Sequence, residues 1–112
     1  MKFIDFTAKP KVQIWEGINA AFFHSSQITF GHVELDKGAI VGEHKHVHEQ
    51  WTHVIEGEME FTIDGETTVL KPGMAAFMAS NVVHSARAIT AVKVIDCFLP
   101  VREDFVELER KG

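Results

Sequence analysis

The chain has 112 residues and a mass of 12.6 kDa, the size of one domain around one core. It is 46% hydrophobic and 24% charged, which excludes bulk disorder, and no run approaches the roughly 18 consecutive apolar residues of a membrane span. Eleven Lys and Arg stand against 16 Asp and Glu, a net charge of −5 with no basic cluster, which argues against nucleic acid and anionic membranes as partners.

In chain order, the apolar runs at 12–15 and 20–23 look too exposed for a small barrel to cover alone. They predict a homodimer made by strand exchange at an edge. Residues 27–35 are β-branched and aromatic and stop at Asp36-Lys37-Gly38. A second run covers 51–56. Residues 58–63 alternate, with Met59, Phe61 and Ile63 on one face and Glu58, Glu60 and Thr62 on the other, the period-2 pattern of a half-buried strand. Asp64-Gly65 is a strong hairpin signal, and 66–70 returns. Strands at 74–78, 82–88 and 91–99 follow, then a short helical turn over 103–110. Short strands at regular spacing with Gly and Pro turns argue an all-β sandwich or barrel in a single domain over 1–112, its barrel core at about 20–100. Closure into a barrel or jelly roll also manages the sheet edges.

The single cysteine, Cys97, excludes an intramolecular disulfide and reads as a small buried hydrophobe. No basic segment followed by an apolar one opens the chain, so a reducing cytoplasm is the expected compartment.

Of seven histidines, four fall between His44 and His53. His44 and His46 are two apart, so on an extended strand both leave one face. Gln50 has the same parity, and His84 lies far along the chain. Two hairpins facing each other across a barrel would bring these four together. Three imidazoles and an amide oxygen suit a divalent transition metal (Zn, Ni, Mn or Fe), with positions left open for water or substrate. A competing arrangement has three His on the metal and Gln50 merely lining the pocket. An amide in place of a carboxylate leaves the dication's charge uncompensated, which favours Lewis-acid chemistry and an anionic substrate. His48 reads as rim, His53 as surface, and His24 and His32 as structural. Asp96 is odd inside an apolar run. It is either a cleft acid or base or an edge-strand carboxylate paired with Arg87 or Lys93.

The segment Gly38-x5-His44-x-His46-x3-Gln50-x6-Gly57 resembles the first cupin motif, with Gln50 where Glu is usual. His84 keeps the ligand place of a degenerate second motif. The resemblance implies the cupin double-stranded β-helix, a jelly-roll barrel. With the downstream Asp96-x-Phe98-x3-Arg102-Glu103-Asp104-Phe105, the chain is most similar to the KdgF-like cupins of pectin and alginate breakdown. That likeness implies a non-redox, lyase- or isomerase-type enzyme that turns 4,5-unsaturated hexuronate monosaccharides into linear keto-uronates. It places His44, His46, Gln50 and His84 on the metal. Asp96 and Arg102 become catalytic, and Phe98, Arg102, Gln50 and His48 bind a small anionic sugar. Two other functions remain open at this point: a cupin dioxygenase using Fe(II) or Cu(II) at the same positions, and a non-catalytic sugar-binding or sensor cupin.

Overall fold

A computed structural model describes residues 3–111. In chain order the elements are β1 (Val12–Trp15), β2 (Ile18–His24), β3 (Thr29–Leu35), β4 (Ile40–His44), β5 (Glu49–Glu56), β6 (Met59–Ile63), β7 (Glu66–Leu70), β8 (Ala75–Met78), β9 (His84–Ala88), β10 (Val92–Leu99) and α1 (Glu103–Lys111). They form a six-stranded sheet, β1-β2-β3-β10-β5-β8, and a four-stranded sheet, β4-β9-β6-β7. Every strand pairing is antiparallel. This is the all-β jelly roll the patterning predicts.

Alternation sets the two faces of each strand. On β10, Val92, Val94 and Phe98 are buried while Lys93 and Leu99 are exposed. On β5, Thr52 and Val54 are buried while Trp51, His53 and Ile55 are exposed. The inward rows of the two sheets share one core: Phe22, Val33, Val54, Met78 and Val94 from the larger sheet, Met59, Phe61, Ala86 and Ala88 from the smaller. Each large apolar side chain fully withdrawn there contributes about 1.5–3 kcal/mol. The β6–β7 hairpin turns on Asp64 (φ 48°) and Gly65 (φ 82°), the two consecutive positive φ values of a type I′ turn. Gly57, the last motif glycine, has φ +85°, and a Cβ there would lie 2.1 Å from the Ala91 carbonyl oxygen. No other residue fits that position.

Three readings change. Ala20, Ala21 and Phe22 are buried in the chain's own core, and Val12 and Ile14 pack against it, so of the large apolar side chains in these two runs only Trp15 is exposed, at 44%. Cys97 is only partly buried. It leaves the outer face of β10, between Phe30 and Trp51 on the neighbouring strands, because the inward parity belongs to Val94, Asp96 and Phe98. Finally, His44 and His84 do not face each other across the barrel. They are cross-strand neighbours on β4 and β9 of the smaller sheet. Among the described residues no helix is long and apolar enough to cross a membrane.

Candidate metal centre and its cavity

His44 ends β4 and His84 opens β9, directly opposite it in register. His46 lies in the connection between β4 and β5. Its carbonyl accepts a hydrogen bond from the Asn81 backbone N–H (2.8 Å), which ties this connection to the turn that delivers His84. Asn81 itself has φ 63°, a conformation Asn tolerates better than most residues. The three rings gather with centroids 4.2–5.4 Å apart. One nitrogen from each lies within 4.8 Å of the others. Two nitrogens sharing an ion at about 2.1 Å can be separated by up to about 4.2 Å, so a small contraction closes the cluster.

The hydrogen bonds select the ligating atoms. Nδ1–H of His44 donates to the Gly42 carbonyl (2.8 Å), that of His46 to the His48 carbonyl (2.9 Å) and that of His84 to the Val82 carbonyl (2.9 Å). A backbone acceptor on one ring nitrogen fixes the tautomer and orients the other nitrogen, the usual support of a metal-bound histidine. Nε2 of His84 is buried with no partner among the described residues. Such an orphaned atom is costly unless something binds it. Burial, and behind it the neighbouring imidazoles and Arg102, push His84 down to about 4, and burial followed by Arg102 also lowers His46. Both rings are therefore neutral at physiological pH and present a lone pair, as ligation requires.

Gln50 reaches the cluster from β5 in the opposite sheet. Its Oε1 lies 3.1 Å from Nε2 of His46. With His46 neutral and protonated on Nδ1, both atoms are acceptors, and this approach is repulsive unless a cation rests against the two of them. The orphaned His84 nitrogen, the neutral rings of His46 and His84 and the facing amide oxygen all fit a divalent metal.

His44, His84 and Gln50 line a small cavity of about 60 Å³, together with Asp96, Phe98 and Arg102. Asp96 stands on β10 opposite Thr52 in register. Its Oδ1 accepts from the Thr52 hydroxyl (2.6 Å), and the Gln50 Nε2–H donates to the same hydroxyl oxygen (2.9 Å). Burial pushes the Asp96 carboxyl up to about 6, although Thr52 and Arg102 pull the other way. A carboxyl poised near neutrality can both accept and return a proton. Neither Arg87 nor Lys93 pairs with it: Arg87 meets Glu60 and Lys93 meets Glu56.

Arg102 is buried at the start of α1. Its Nε and Nη2 donate to the two oxygens of Asp104 (3.0 and 2.8 Å), and its guanidinium lies 3.9 Å from the Phe105 ring centroid and 4.8 Å from that of Phe98. The salt bridge to Asp104 therefore sits on a buried arginine in the cavity wall. Nη1 has no hydrogen-bond partner among the described residues. His48 sits beside the cluster, 5.5 Å from His46 ring to ring, and is not among the cavity-lining residues. His24 bridges Thr29 and Glu109, His32 stacks on Phe6, and His53 is exposed, so these three stand apart from the cluster.

The cupin-domain family profile matches residues 31–98. The chain belongs to the cupin family. It is 40% identical over 76 residues to the pectin degradation protein KdgF of Dickeya dadantii (strain 3937), an alignment covering 66% of this chain and 69% of that protein. The structure of KdgF from a Halomonas species superposes with a TM-score of 0.89 at 29% identity, covering 94% of this chain and 98% of the other. An RmlC-like cupin from Shewanella frigidimarina NCIMB 400 superposes equally well, at 0.89 and 31% identity, over 94% and 96% of the two chains. This protein is a small cupin similar to KdgF.

Sequence reasoning missed Thr52, Asn81 and the aromatic cradle that Phe105 gives Arg102 as parts of the site. Thr52 had a usable signal, since it shares parity with Gln50 on a strand whose inward face was already assigned. The cradle had none, because its formation depends on how α1 folds back onto β2 and β10.

Proposed function

We propose that this cupin is a metal-dependent enzyme that opens the ring of 4,5-unsaturated hexuronate monosaccharides to linear keto-uronates. The observation that carries the reading is Asp96, a carboxyl poised near neutrality on the wall of the cavity that His44, His84, Gln50 and Arg102 also line. The pectin-degradation role of the Dickeya relative agrees with a sugar-acid substrate. A Zn, Ni, Mn or Fe dication held by His44, His46 and His84, with Gln50 as an oxygen donor, would supply Lewis-acid polarisation of a substrate oxygen.

The chain's own groups do the rest. Arg102, already fixed by Asp104, uses Nη1 for the substrate carboxylate. Phe98 packs on the sugar face, while His48 stays beside His46 outside the cavity lining. Asp96 takes the proton of the anomeric hydroxyl. The C1–O5 bond then breaks, C1 becomes an aldehyde, and the electron pair moves to O5 to give the enolate at C5. Asp96 returns the proton to C4, and C5 becomes a ketone. The sum is an isomerisation: one proton moves from O1 to C4, with no water added and no electron acceptor used.

The test follows the absorbance of the conjugated alkene of 4,5-unsaturated galacturonate. Wild type should consume it, Asp96→Ala should not while keeping its metal, and His84→Ala should lose both metal and turnover. Normal turnover by Asp96→Ala overturns the mechanism. Activity that survives strict removal of oxygen excludes the dioxygenase reading. A sugar bound but unchanged by NMR would instead favour the sensor reading.

A further inference from the structure

Thr52 is 2% exposed, and a hydroxyl that deep must be paired. It makes two hydrogen bonds, one accepted from Gln50 Nε2 and one donated to Asp96 Oδ1. A hydroxyl has a single proton. Because that proton goes to the carboxylate, Thr52 can offer Gln50 only a lone pair, and only the amide NH2 can use it. The amide therefore turns its nitrogen to Thr52 and its oxygen to His46, where Oε1 lies 3.1 Å from Nε2.

Without the hydroxyl, the opposite orientation is the better one in the metal-free chain. The Gln50 NH2 would donate to the free lone pair of His46 Nε2 and relieve the acceptor–acceptor contact. That hydrogen bond would cap a metal-ligating nitrogen. We propose that Thr52 is a positioning residue that holds Gln50 oxygen-first toward the His44, His46 and His84 cluster, keeping Gln50 an oxygen donor and His46 uncapped. The proposal rests on the reading of that cluster as a metal site and is independent of which sugar the protein uses.

The experiment is a Co2+ titration of the metal-stripped protein by calorimetry and by the visible spectrum of the bound ion. It compares wild type, Thr52→Val, Thr52→Ser, Gln50→Glu and the Thr52→Val/Gln50→Glu double variant. Loss of an outer-shell partner weakens metal binding about 10–100-fold, and Thr52→Val should fall in that range with an altered spectrum. Thr52→Ser, which keeps the hydroxyl, should restore both. A carboxylate presents oxygen at either end, so Thr52→Val should have little effect in the Gln50→Glu background. That asymmetry separates orientation of an amide from general support of packing.

Wild-type affinity and spectrum in Thr52→Val would overturn the proposal, and so would an equal loss in both backgrounds. If Thr52→Val does not fold, Thr52→Ala repeats the comparison. A wild-type chain that binds no Co2+ would remove the metal site and this role with it. Failure of the ring-opening reading alone would leave every Co2+ result unchanged.

Discussion

Replacing Asp96 with Asn should stabilise the metal-free protein at neutral pH while abolishing turnover. The Asp96 carboxyl is raised from 3.8 to about 6, chiefly by burial. The native state therefore holds this proton more tightly than the unfolded chain does, and stability falls as pH rises from 3.8 to 6. Above that window the ionised, buried carboxylate costs about 3 kcal/mol, at 1.36 kcal/mol per pKa unit. His84 has the opposite sign. Burial lowers it from 6.5 to about 4, so its contribution is complete above 6.5 and is lost as pH falls toward 4, again by about 3 kcal/mol. Between pH 4 and 6 the two slopes offset each other in the wild type. Asn cannot ionise and still accepts the Thr52 hydrogen bond. Asp96→Asn should thus gain up to about 3 kcal/mol at neutral pH, then lose stability more steeply than wild type on acidification, because protonation of His84 is no longer offset. Urea denaturation followed by circular dichroism, with a chelator present, at successive pH values from neutral down to the His84 range, reads both effects. An Asp96→Asn protein no more stable than wild type at neutral pH, with an unchanged slope, would refute the linkage argument. Catalytic carboxyls kept near neutrality at a cost to stability are a general pattern of pKa tuning.

Adding Zn2+ or Ni2+ to the stripped wild type should raise Tm with the logarithm of the free-ion concentration above Kd, because the ion binds only the folded site; the rise should vanish in His84→Ala. Arg102→Lys keeps the charge but loses the two-pronged bond to Asp104 and the flat stacking between Phe98 and Phe105, so KM for the uronate should rise about 10- to 100-fold with a smaller change in kcat, as expected for loss of a charge-assisted hydrogen bond of about 1.5–3 kcal/mol. Phe105→Ala empties the space between the Phe22 ring, 4.7 Å away, and the Arg102 guanidinium. It should cost about 3–5 kcal/mol in urea denaturation and raise KM as well, by freeing Arg102.

The strands were legible because they depend on local periodicity, and the histidine cluster because its residues fill the places of a motif. Residues 58–63 showed their alternation openly, Asp64-Gly65 turned where it should, and β7 runs over the residues expected. The motif residues His44, His46, Gln50 and His84 do meet at one end of the barrel. What the chain order concealed is cross-strand register. Nothing local says that His84 pairs beside His44 in one sheet while Gln50 arrives from the other. Nor does it say that Thr52 stands opposite Asp96. The Cys97 reading failed for a related reason: β10 is apolar on both faces, so only its pairing with β3 and β5 assigns the inward side. The N-terminal strands looked exposed because the cover over Ala20 and Phe22 comes from distant parts of the chain, including Phe105.

The central claim is that the three-histidine cluster and Asp96 act on one substrate in one cavity. Its most direct test is proton NMR of 4,5-unsaturated galacturonate in deuterated buffer without oxygen, with metal-loaded wild type, chelated wild type and Asp96→Ala. Loaded wild type should remove the vinylic C4 signal and yield the linear keto-uronate, while the other two leave the sugar intact. An unchanged sugar with fully loaded wild type, or the same conversion by chelated protein or by Asp96→Ala, would contradict it.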